Sequence, residues 1–156
     1  MESKASLDRH RAQKVMRRLF LTLVIFGFAL GCFAKEPETL DQLKARAADA
    51  DINKQPELFS KLAKQQLEAA NDTYSTNVEQ ARTLITDVAD SAEKASATSI
   101  KSGRREKKTE IDLRQLGKRM DDISRTWAFE DRAPLKAAAE RVEAARSKLL
   151  DRMFEK

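Results

Sequence analysis

Val78-Glu-Gln-Ala-Arg-Thr-Leu-Ile-Thr-Asp-Val-Ala-Asp-Ser-Ala-Glu-Lys-Ala95 sets Val78, Ala81, Ile85, Val88, Ala92 and Ala95 at alternating steps of three and four. Those steps gather the apolar side chains on one stripe of an α-helix and would scatter them over both faces of a strand. The repeat is heptad-like, which predicts coiled-coil-like packing against neighbouring helices. Past Val88 the stripe is alanine, small enough for a second helix to approach closely. Asn77 predicts the N-cap of this helix and Gly103 its stop.

The same grammar extends to both sides. Upstream, Pro56 suits a first helical turn, and Phe59, Ala63, Leu67, Ala70 and Tyr74 form a stripe that ends at a turn over Ser75, Thr76 and Asn77. Thr39 with Gln42 makes a capping box for a shorter helix over residues 39–50, with Leu40, Leu43 and Ala47 on its apolar side. Downstream, Thr109 and Asp112 predict the cap of a helix carrying Leu113, Leu116, Met120, Ile123 and Trp127, and Gly117 within it predicts a close helix contact. Asp131 as N-cap and Pro134 then open a last helix with Leu135, Ala138, Val142, Ala145, Leu149 and Met153 in line. Short connections make successive helices antiparallel. The predicted fold is an all-α antiparallel helical bundle over residues 39–156, with three long helices, one or two shorter ones and coiled-coil-like packing. A tether over residues 35–38 and an N-terminal signal or anchor helix over residues 1–34 precede it.

Composition agrees: of 156 residues, 41% are apolar, 35% charged and 6% aromatic, with four Gly and three Pro. That leaves too little turn and aromatic material for a β-sandwich or barrel, and no glycine-rich phosphate loop.

The net charge of +5 is mostly local. Lys4, Arg9, Arg11, Lys14, Arg17 and Arg18 face only Glu2 and Asp8 in residues 1–34, leaving 24 basic and 23 acidic side chains in residues 35–156. A nearly balanced domain lacks the electrostatic footprint of a nucleic-acid binder, so no nucleic-acid partner is expected. After Arg18 the run Leu19-Phe-Leu-Thr-Leu-Val-Ile-Phe-Gly-Phe-Ala-Leu30 carries no charge, and Gly31-Cys32-Phe33-Ala34 brings small residues before the polar Lys35. Basic, then apolar, then small is the order of a secretory signal. The positive-inside rule then places the rest of the chain beyond the cytoplasmic membrane, periplasmic or anchored facing outward. Three fates are open: cleavage after Ala34, lipidation at Cys32 in the lipobox-like Ala29-Leu30-Gly31-Cys32, or retention of residues 19–34 as a membrane anchor.

Cys32 is the only cysteine, so stability must come from packing without disulfides. His10 is the only histidine and lies in the leader. The exported part therefore has no imidazole or thiol for a triad, a Cys-His protease or a His/Cys zinc site, and no cofactor is expected. Carboxylates remain. Glu130 with Asp131, and Asp121 with Asp122, are the pairs a cell-wall glycan hydrolase would use, but neighbours on a helix do not face each other. Two binding features stand out. Lys101, Arg104, Arg105, Lys107 and Lys108 concentrate positive charge suited to an anionic surface, and Trp127 with Phe129 offers aromatic contact to a partner at a bundle end.

Ala70-Asn-Asp-Thr-Tyr74 followed by Val78-Glu-Gln-Ala81 resembles one degraded tetratricopeptide hairpin, with no second copy at the family's 34-residue period. Gln55-Pro-Glu-Leu-Phe59 and Arg125-Thr-Trp-Ala-Phe-Glu-Asp131 resemble an uncharacterised exported bacterial α-helical family, which implies export and a helical fold and carries over no site residue. The expected role is an exported, non-catalytic binding or structural module of the cell envelope, contacting an unidentified protein or envelope component. A periplasmic helical chaperone and a carboxylate-dependent hydrolase are the alternatives, and heptad spacing suits a homo-oligomer as well as a monomer.

Overall fold

The computed structural model describes residues 38–155; the segment read as a leader, with His10, Cys32, Ala34 and the apolar run, lies outside them. Five α-helices and one short 3-10 turn make up the described chain. Helix α1 (Leu40–Asp49) opens with the predicted capping box: Gln42 N–H donates to Thr39 Oγ1 at 3.2 Å, and Thr39 N–H to Gln42 Oε1 at 3.1 Å. An Asx turn at Asp51 reverses the chain, accepting the Asn53 N–H at 2.9 Å, and Gln55 Nε2 covers the free Ala50 carbonyl of α1 at 3.1 Å. Helix α2 (Gln55–Tyr74) carries Pro56 in its first turn. Asn77 caps helix α3 (Val78–Ser102) by accepting the Gln80 N–H at 3.0 Å, and Gly103 ends it in the left-handed region at φ 63°.

Helix α4 (Glu106–Ser124) begins four residues earlier than the Thr109–Asp112 pair predicts, with Arg105 in the N-cap position. Two left-handed residues, Gly103 and Arg105, complete the reversal within three residues, and Ser99 Oγ donates to the Arg104 carbonyl at 2.8 Å to hold it. Thr109 is consequently a buried residue inside the helix, and Asp112 turns to Lys108 one turn back. The 3-10 turn Phe129–Asp131 leads into helix α5 (Arg132–Phe154). Four helices are long, rather than three.

Every stripe named from spacing faces inward. Leu67, Ala81, Val88, Met120 and Leu149 are fully buried, and only residues at stripe ends, Leu40, Tyr74, Val78 and Met153, are partly exposed. Each fully buried Leu, Ile or Val contributes about 2 kcal/mol. Gly117 differs from expectation: beyond its own helical turn nothing lies within 4 Å of where its Cβ would stand, so it marks a groove and not a close contact. Close approach occurs instead on the alanine-rich half of α3, where Ser96 Oγ reaches the Ala145 carbonyl of α5 at 2.7 Å.

Helices α2 and α3 form one antiparallel hairpin, α4 and α5 another. Pairings across the seam rise together in number: Lys64 with Asp112 and Glu68 with Arg119 join α2 to α4, and Asp90 with Arg141 and Ser96 with Ala145 join α3 to α5. Like-directed helices therefore lie side by side across the seam. Helix α1 closes a smaller core, its Leu43 and Ala47 packing with Phe59, Leu62 and Ala95. The bundle has two poles. One gathers the α2–α3 turn and the α4–α5 connection; the other gathers the Gly103–Arg105 turn and the C-terminus of α5.

Candidate functional site

At the first pole the last residue of α2, Tyr74, lies flat on Trp127, ring centroids 4.1 Å apart and planes within 8°. The Tyr74 hydroxyl donates to Asp131 Oδ2 at 2.8 Å and accepts the Ala128 N–H at 2.9 Å. Asp131 Oδ1 is taken by the Arg82 guanidinium from α3, which also pairs with Glu79. Arg132 Nε donates to the Trp127 carbonyl at 3.0 Å. Both oxygens of Asp131 are thus spent on the two helices of the opposite hairpin. Hydrogen bonds from Tyr74 and Arg82 hold its carboxyl below the ordinary range. The Ala128 N–H favours the phenolate of Tyr74, but the adjoining Asp131 carboxylate outweighs it and raises the phenol above its usual value.

Asp131 stands at the N-cap position of α5, as its place in the sequence predicts, but its backbone is helical and its side chain makes no cap bond, going to Tyr74 and Arg82 instead. The arrangement also separates the two aromatics proposed to meet a partner. Trp127 is 2% exposed and belongs to the core, its Nε1 donor left without a hydrogen-bond partner, whereas Phe129 is 83% exposed beside Arg132. Asp121, Asp122 and Glu130 are exposed.

Other carboxylates are committed in the same way, Asp112 and Glu110 buried and Glu68 exposed. Asp112 accepts from Lys64 at 2.6 Å and from Lys108 at 2.8 Å; burial pushes its carboxyl up, and the two ammonium groups outweigh that and bring it below the ordinary range. Glu110 of α4 receives Arg146 of α5 at 2.8 Å. Arg119 holds Glu68 with two parallel bonds of 2.9 Å, which lowers that carboxyl in turn. Between α4 and α5, beside Gly117, runs a groove of about 640 Å³ whose rim carries both signs, Arg114, Lys118 and Lys136 against Asp121, Glu140 and Glu143.

At the second pole the basic cluster is divided. Arg105 pairs with Glu57 of α2 at 2.8 Å and Lys108 with Asp112, whereas Lys101, Arg104 and Lys107 are exposed and form no ion pair among the described residues. The cluster sits on a tight helix–turn–helix corner. Among the described residues, no group of three or more His, Cys, Asp or Glu is arranged to hold a metal, and no helix is long and apolar enough to cross a membrane.

Sequence reasoning missed Arg82, Lys64 and Gln66. Gln66 is buried on α2 and accepts from Ser91 Oγ of α3 at 2.7 Å. The available signal was a polar residue next to an apolar stripe, as Arg82 stands next to Ala81. No family model, curated protein or solved structure matches the chain.

Proposed function

We propose that residues 35–156 are a non-catalytic binding or structural module of the cell envelope, delivered across the cytoplasmic membrane by residues 1–34 and working in the periplasm or anchored facing outward. The observation that carries the non-catalytic reading is the commitment of Asp131. An acid or base in glycan hydrolysis needs a carboxyl free to exchange a proton with substrate, and both oxygens here are bound by Tyr74 and Arg82. The charged rim of the α4–α5 groove favours a module over a holding chaperone, which presents a broad apolar face. Export rests on the basic, apolar, small order of residues 1–34.

Fractionation of cells expressing the full chain, with intact mass and protease accessibility of each fraction, tests this reading. A soluble form starting at Lys35, a form lipidated at Cys32, or an uncleaved form cut by external protease in spheroplasts is the expected class of result. A full-length chain confined to the cytosol overturns export. Release of soluble fragments from purified cell-wall sacculi, lost in Glu130→Gln, overturns the non-catalytic reading.

A further inference from the structure

The second pole combines three features that no packing within the bundle explains. Lys101, Arg104 and Lys107 stand exposed around the Gly103–Arg105 turn and form no ion pair among the described residues. Beside them a shallow concavity of about 520 Å³ is lined by the half-buried Ile111 and Met153 together with Arg105, Glu106, Lys107 and Lys108. Phe154, next along α5, projects into solvent with 83% of its surface exposed. Long cations around an aromatic and aliphatic tip are the chemistry of a surface that meets lipid headgroups with charge and the acyl boundary with a ring. Of the five cations between Lys101 and Lys108, Arg105 and Lys108 are engaged by Glu57 and Asp112, and Glu106 is the one anion within the stretch.

We infer that this pole docks the bundle on an anionic phospholipid bilayer, with Phe154 and Met153 entering the headgroup region and Lys101, Arg104 and Lys107 pairing with lipid phosphates. Charge complementarity selects that occupant over a second copy of the chain. The copy's matching pole carries the same positive excess, and the domain as a whole is nearly neutral. The inference names the partner of the binding module proposed above, and it is indifferent to which side of the membrane the module occupies.

The test uses the full chain carrying Phe154→Trp, reconstituted in phosphatidylcholine vesicles with or without about an equal share of phosphatidylglycerol. Trp127 is stacked in the core at the opposite pole and supplies a constant background. In anionic vesicles the emission at position 154 moves to the blue and is quenched by bromine-labelled acyl chains; in neutral vesicles it stays at its aqueous position. Replacing Lys101, Arg104 and Lys107 with Gln lowers the docked population roughly a hundredfold, at about fivefold per cation, and raised salt does the same. An aqueous emission position in both vesicle types overturns the inference, as does a blue shift equal in both. A shift that needs protein concentration and no vesicles assigns the pole to a second copy and overturns it too. Failure here with correct fractionation leaves the export reading standing, and cytosolic retention with anionic-vesicle docking separates the two the other way.

Discussion

Tyr74 and Asp131, 57 residues apart in the chain, share a 2.8 Å hydrogen bond that ties the end of the first hairpin to the start of α5 in the second. The same hydroxyl accepts the Ala128 N–H, so one oxygen serves both a side chain and a backbone of the opposite hairpin. Tyr74→Phe keeps the ring on Trp127 and strands both partners. It is expected to lower Tm by roughly 5 °C without changing helix content, measured by thermal unfolding followed by far-ultraviolet circular dichroism. An unchanged Tm means that water replaces the hydroxyl fully at this pole.

The two glycines of the bundle should respond oppositely to alanine. Gly117 lies mid-helix with open space around its missing Cβ, so Gly117→Ala gains about 0.5–1 kcal/mol from helix propensity. Gly103 stands at φ 63°, where a side chain is strained, so Gly103→Ala loses about 1 kcal/mol. Urea midpoints of the two variants moving in the same direction would contradict this assignment.

Acid should destabilise the bundle through identifiable groups. Asp112, Asp131 and Glu68 have folded pKa values below their ordinary 3.8 to 4.5, so the unfolded chain takes up protons first as pH falls. Their stabilisation is complete above about pH 5 and drains as pH drops through the folded values. Asp112→Asn should have the lower urea midpoint at pH 7, lose less on acidification, and approach the parent near pH 2. Parallel pH profiles for the two proteins would remove Asp112 from the acid limb.

Ser96 marks a close approach of α3 to α5. Its Oγ donates to a carbonyl of α5, so Ser96→Ala loses a single neutral bond, about 1 kcal/mol, and keeps the close approach. Ser96→Leu must push α3 from Ala145 and should lose well over 2 kcal/mol. Chemical denaturation of both variants checks the ratio, and near-equal losses would mean that the helices separate at little expense.

What could be read from residues alone divides by distance along the chain. The inward stripes, the Thr39 and Asn77 caps and the Gly103 stop follow from spacings of three or four, and they match the structure. Thr109 with Asp112 has the spacing of a cap, yet a three-residue turn started α4 earlier, and Asp112 found Lys64, 48 residues away. Asp131 misled for the same reason: a cap is a local contact, and its partners on α2 and α3 are set by how the hairpins stack. The like-directed pairing of α2 with α4 and of α3 with α5 is likewise invisible to periodicity, which says that a face is buried and not against what. Gly117 shows the converse, a residue type that permits close approach at a place where nothing approaches.

The Gly103–Arg105 turn is the sole covalent link between two hairpins that complete each other's core. Were it to straighten, α3 and α4 would run on as one rod, and each hairpin would meet its complement from another molecule with the seam unchanged. The outcome is an exchanged dimer, built from the same contacts as the monomer and separated from it by the conformation of three residues. The left-handed backbone of Gly103 and Arg105 is what folds the two hairpins of one chain onto each other.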